Sequence, residues 1–159
     1  MKPIRFFNEY LENGVVKKQA PDMSKANFLI NENEKSYKFV STLVKQLGLN
    51  DDNANSIIKL CYDNIMEILR AKLFTEGYNA KGQGAHEAEV AYLRVLGFNE
   101  DDVQFADQLR NFRNRIMYEG KILDKEYAEK VFEFRNKICP KLKKIVRENA
   151  EQKNPNNLT

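Results

Sequence analysis

The segment Gln108–Gly120, QLRNFRNRIMYEG, holds the densest set of side chains able to handle a phosphate. Residues four apart share a helical face, so Arg110, Asn114 and Tyr118 form one polar line, with Arg113 one turn from Arg110 and beside Asn114. The planar guanidinium groups of Arg110 and Arg113 can bind phosphate oxygens through paired hydrogen bonds. Asn114 can orient a phosphate, a ribose hydroxyl or another side chain. A phenol ordinarily titrates at about pH 10, so Tyr118 suits hydrogen bonding and orientation better than base catalysis. The same cluster can serve as a structural network or a dimer contact.

His86 is the only histidine in the chain, and imidazole is the side chain that ordinarily titrates near neutrality. It follows Gly77–Ala85, GYNAKGQGA, whose three glycines predict a mobile loop or a bend near a site. From the start of its helix His86 can approach the Arg113 cluster as a catalyst, or act as a cap or a hydrogen-bond partner of the preceding long helix. One histidine cannot be both acid and base, but a symmetric homodimer carries two. Glu87 and Glu89 suit the first turn of a helix by charge. Tyr62 can pack or join the site, and Asp63 can support it by fixing an arginine such as Arg113. Lys141, Lys143, Lys144 and Arg147, in PKLKKIVR, offer either attraction for RNA phosphates or an ordinary solvated face. The aromatics Phe105, Phe112, Tyr118, Tyr127, Phe132 and Phe134 fall at helical spacing, which favours core or interface packing over base stacking.

The elements that position these residues read as helices. Ile4–Leu11 is a short segment broken by Gly14. Asp22 can cap a helix to Leu47 with Ala26, Ile30, Tyr37, Val40, Val44 and Leu47 inward; Asn31–Glu34 reads as a solvated turn within it, and Gly48 ends it. A second helix starts near 51–54 and turns Ile58, Cys61, Ile65, Leu69 and Leu73 inward up to Gly77. A shorter one spans His86–Leu96 with Val90, Leu93 and Leu96 inside. Asn99 can cap a helix using Val103, Ala106, Leu109, Ile116 and Met117, ended by Gly120. Asp124 can start the last, with Ala128, Val131, Phe134, Ile138, Leu142 and Ile145 inward and Pro140 kinking or interrupting it. No alternating run bounded by hairpin turns argues for strands. The expected fold is all-α: an antiparallel bundle of four to five main helices over 21–147, an N-terminal segment 1–20 packed on or near it, and a flexible tail 148–159.

Across about Pro21–Ile145, the segments PDMSKANFLI, CYDNIMEIL, HEAEVAYLRVLGF and LRNFRNRIMYEG together resemble the HEPN domain family. These helical modules occur in prokaryotic toxins, in defence ribonucleases and beside minimal nucleotidyltransferases. Active members carry an RNxxxH pattern; here Arg113 and Asn114 match its first two positions and Tyr118 stands at the histidine position. The resemblance implies a homodimer in which paired motifs cleave RNA without a metal, leaving a 2′,3′-cyclic phosphate, with Arg113 at phosphate and Asn114 orienting. It also implies an alternative: a non-catalytic partner or regulator in a nucleotidyltransferase or toxin/antitoxin complex.

Other chemistry finds no motif. There is no GxxxxGK[ST] loop, no HExxH and no spaced Cys/His quartet, so neither metal nor cofactor is expected. Cys61 and Cys139 are too far apart in sequence for a CxxC pair and read as buried thiols in a reducing compartment. A net charge of +3 permits an acidic polymer without requiring one. The absence of a long apolar run and of a leader in MKPIRFFNEY gives the expectation of a cytoplasmic protein without membrane contact.

Overall fold

The computed structural model describes residues 2–153, and among these it is an all-α domain of six helices with one small β-ribbon. The order is α1 Phe7–Glu12, β1 Val16–Lys18, α2 Met23–Leu47, α3 Ala54–Thr75, β2 Tyr78–Ala80, α4 Ala85–Val95, α5 Glu100–Glu119 and α6 Lys125–Lys153.

α3 is the hub. Its apolar residues run nearly all the way round, and Ile57, Ile58, Cys61, Ile65, Ile68, Leu69 and Leu73 are buried. Such a helix has to be covered on every side. α2 and α6 pack against it, and α4 and α5 complete the enclosure. α1 closes over α4, with Phe7 in ring contact with Tyr78 and Tyr92 at 5.2 and 4.7 Å.

The helix limits follow local capping chemistry. Asp22 Oδ1 accepts from Lys25 N, Asn99 Oδ1 from Asp102 N and Asp124 Oδ1 from Tyr127 N, each satisfying a first-turn amide that has no partner within its helix. Gly120 ends α5 in the left-handed region.

Several expectations need correction. The turn Asn31–Glu34 within α2 is solvated only in part: Asn31 and Glu34 are exposed, but buried Asn33 donates from Nδ2 to the Asn64 carbonyl at 2.7 Å. Leu47 and Met117, placed in the core by periodicity, are 64% and 50% exposed because each lies in the last turn or so of its helix, where nothing packs over it. Strands do form, as an antiparallel pair with Val16 opposite Ala80 and Lys18 opposite Tyr78; three residues are too few to show an alternating pattern. That pairing ties down the first part of the expected mobile Gly77–Ala85 loop. Finally, α6 continues through Pro140 without interruption. Pro140 and Asn136, whose carbonyl loses its amide partner there, are both exposed, so water can take the amide's place. α6 also extends to Lys153, into the expected tail; 154–159 lie outside the described residues.

The ribbon depends on one close approach. Gly77 has φ +77°, its carbonyl accepts from Gln19 N at 2.9 Å, and a β-carbon on it would stand 2.5 Å from the Gln19 carbonyl oxygen. Gly77→Ala is therefore expected to destabilise the fold by roughly 2–3 kcal/mol, read as a lower urea midpoint at unchanged slope. Gly14→Ala, with φ +80° but open space around it, should cost only about 1 kcal/mol.

Candidate functional site

Where the chain enters α4 it meets one face of α5, leaving an open pocket of about 720 Å³. Its walls are Arg5, the Gly82–Ala85 turn, His86 and Glu87 on one side and Arg110, Asn114 and Tyr118 on the other. The polar line read from the four-residue spacing thus faces a common space, and the single histidine shares it.

Each wall residue is held by its own element. The Ala85 amide donates to the Gly82 carbonyl at 3.2 Å, and Gly84, at φ +87°, turns the chain into α4. No side chain caps that end, so the positive end of the α4 dipole faces the pocket. Arg110 Nε donates to buried Asp107 Oδ1 at 2.8 Å, which fixes the guanidinium at the pocket wall. The Arg5 carbonyl accepts from Arg94 Nη1 at 2.9 Å, and the Arg5 guanidinium lies 4.7 Å from the Tyr10 ring centre. Buried Tyr10 donates its hydroxyl hydrogen to Glu87, which holds that carboxylate aside. Tyr118 is 81% exposed at the pocket's outer edge.

Arg113 takes a different direction. It lies about 60° around the helix from Arg110, and its guanidinium rests 5.9 Å from the Tyr62 ring centre on α3. Its Nε is buried without a hydrogen-bond partner. Partial desolvation raises the Asp63 carboxyl above the ordinary range against the pull of Arg113, Arg70, His86 and Lys59. No hydrogen bond or ion pair joins Asp63 to Arg113, and neither residue lines the pocket.

The basic run of α6 is elsewhere. Lys143 lies over the Tyr37 ring at 4.4 Å, Lys144 is 3.9 Å from Glu148 and Arg147 bonds Glu34 at 3.1 Å. Lys143, Lys144 and Arg147 line a groove of about 450 Å³ against α2 that shares no residue with the α4–α5 pocket, and Lys141 is exposed beside it.

Arg5, Arg70 and the anchoring role of Glu89 escape a linear reading. Glu89 is buried, receives Arg70 Nε and Nη2 at 2.8 and 3.0 Å, and lies 3.2 Å from His86 Nδ1. A signal was present: Asp63 and Arg70 are seven apart, hence on one face of α3. Burial alone would raise the Glu89 carboxyl, but hydrogen bonds from His86 and Arg70 bring it below the ordinary value of 4.5. A carboxyl lowered on folding stabilises fully above its unfolded value and loses that contribution as pH falls through the folded one. The urea midpoint of the wild type should therefore drop as pH falls below the ordinary carboxyl value of 4.5, and Glu89→Gln should flatten part of that drop.

Among the described residues no group of three or more His, Cys, Asp or Glu could hold a metal ion, and no helix is long and apolar enough to cross a membrane. Cys61 and Cys139 are free and buried, and burial pushes both thiols up to about 12. No family model, curated protein or solved structure matches the chain.

Proposed function

We propose that this chain is a HEPN-like RNA-binding protein that cleaves RNA without a metal at the α4–α5 pocket. The observation that carries this is the meeting of the single histidine, His86, with Arg110, Asn114 and Tyr118 around one open space. Arg110, Arg5 and the α4 amino terminus hold the phosphate, and Asn114 orients the ribose. His86 Nε2 takes the proton of a 2′-hydroxyl as that oxygen attacks the adjacent phosphorus. The bond from phosphorus to the 5′-oxygen breaks, and the departing oxygen takes a proton from water. The products are a 2′,3′-cyclic phosphate and a 5′-hydroxyl. Arg113, whose guanidinium rests by the Tyr62 ring, adds positive charge to the α3 side of α5. Lys141, Lys143 and Lys144 give the RNA backbone a second positive surface, and the exposed Met117, Tyr118 and Ile122 supply apolar area for pairing two copies.

The alternative, a non-catalytic partner of a nucleotidyltransferase or of a toxin/antitoxin complex, draws on the exposure of Tyr118, which leaves its ring and hydroxyl open to another protein. The deciding experiment incubates purified protein with a mixed RNA panel in chelator and analyses RNA ends by mass. Cyclic-phosphate ends that disappear with His86→Ala and with Arg110→Ala support cleavage at this pocket. Folded protein that neither cuts nor binds any RNA overturns the proposal, and a stable protein partner recovered with it would favour the alternative.

A further inference from the structure

Glu89 lies beneath the pocket with its side chain 4% exposed and both carboxylate oxygens engaged. Oε1 accepts from Arg70 Nε at 2.8 Å; Oε2 accepts from Arg70 Nη2 at 3.0 Å and lies 3.2 Å from His86 Nδ1. An ionised carboxylate has no hydrogen to give, so the hydrogen in the contact with the imidazole belongs to Nδ1. The ring then places Nε2 on its opposite edge. The His86 side chain is 56% exposed and lines the pocket, so this edge is the one a ligand meets.

We propose that the buried Arg70–Glu89 pair is a positioning device that fixes His86 as its Nδ1–H tautomer and presents a bare Nε2 to the pocket. Its catalytic meaning rests on the ribonuclease reading above: only an unprotonated Nε2 can accept the 2′-hydroxyl proton. The nitrogen that carries the hydrogen is set by the bond the other nitrogen makes, and without such a bond neutral imidazole prefers Nε2–H, the form unable to act as a base toward the pocket. Arg70 has two tasks. It holds Glu89 in place through two bonds to the same carboxylate, and its charge keeps that carboxylate ionised, hence a pure acceptor. Once His86 has taken a proton, the same carboxylate lies beside the imidazolium and stabilises it. Glu89 touches no substrate, so it is a positioning residue.

Because the chain has one histidine, labelling with ¹⁵N-histidine gives one pair of ring-nitrogen signals, whose shifts separate a protonated from a bare nitrogen. At about pH 9, where imidazole is ordinarily neutral, the full-length wild type should show mostly Nδ1–H. In Glu89→Gln, Arg70 takes the amide oxygen and leaves the NH₂ facing Nδ1, so the population should reverse to mostly Nε2–H. A wild type that is mostly Nε2–H, or a folded Glu89→Gln with unchanged populations, overturns the proposal. Should Glu89→Gln fail to fold, the wild-type spectrum decides by itself. The RNA assay is separate: Nδ1–H in a chain that cuts no RNA upholds the positioning device and removes the ribonuclease reading, whereas Nε2–H in a chain that cuts RNA does the opposite.

Discussion

Arg135→Ala is expected to lower the stability of the fold by roughly 3–5 kcal/mol, enough to consume much of what holds a domain of this size together. Arg135 has 0% exposure and sits where α2, α3 and α6 meet. Nη1 donates to the Tyr37 carbonyl at 3.1 Å and to Asn64 Oδ1 at 3.0 Å; Nη2 donates to Ser41 Oγ at 2.6 Å and to Asn136 Oδ1 at 2.8 Å. The rings of Tyr37 and Phe132 lie 3.8 and 4.8 Å from its Cζ. All four of these acceptors are neutral, so the buried charge is compensated by a fork of hydrogen bonds and two aromatic faces rather than by an ion pair. Removing it strands Asn64 Oδ1 away from water, at about 1–3 kcal/mol, while the Tyr37 carbonyl keeps the Ser41 hydroxyl as a donor at 3.0 Å, and leaves a cavity between three helices.

Arg135→Lys separates charge from shape. Lysine keeps the cation but has no planar fork to reach α2 and Asn64 together, so it should recover less than half of the loss. Urea titrations with unchanged slope measure both variants. An Arg135→Ala midpoint within 1 kcal/mol of wild type would show that the network is dispensable, and a wild-type midpoint for Arg135→Lys would show that charge alone suffices.

The same network marks where sequence reasoning stops. Caps at Asp22, Asn99 and Asp124 and the stops at Gly48 and Gly120 are legible because their hydrogen bonds close within a few residues. The inner stripe of α3 is legible because burial on one helix imposes its own period. Asn33, Asn64 and Arg135 look like solvated polar residues because the partners that make their burial tolerable are 31 and 71 positions away along the chain. The pocket divides likewise. The face shared by Arg110, Asn114 and Tyr118 follows from spacing, and the approach of His86 from its place after a glycine turn. That Arg113 faces α3, and that Glu89 binds Arg70 instead of only decorating a first turn, depends on the packing of α3, α4 and α5 against one another.

His86→Ala is expected to slow metal-free RNA cleavage by about 10²–10⁴-fold while changing RNA affinity by less than about threefold, because general-base assistance acts on the proton in flight rather than on the bound phosphate. Arg110→Ala should behave differently. Its guanidinium is fixed by Asp107 before any ligand arrives, so its loss removes a preorganised charge-assisted hydrogen bond of about 1.5–3 kcal/mol, or roughly ten- to a hundredfold in affinity, with cleavage falling at least as far. It should also reduce the salt dependence of binding by about one phosphate contact. Tyr118→Phe, which deletes a hydroxyl from a ring 81% exposed, should cost less than about tenfold in either measurement. Cleavage by His86→Ala at the wild-type rate, under conditions where both proteins are folded, would remove the pocket from the chemistry; unchanged RNA affinity in Arg110→Ala would remove it from phosphate binding. The His86→Ala preparation also bounds any contaminating nuclease, since a contaminant can supply no more than the activity left in that preparation. The order His86 above Arg110 above Tyr118 in rate, with Arg110 first in affinity, is the signature of a base and a phosphate clamp working on one RNA. A structural network at the same residues would instead move the urea midpoint and leave neither order.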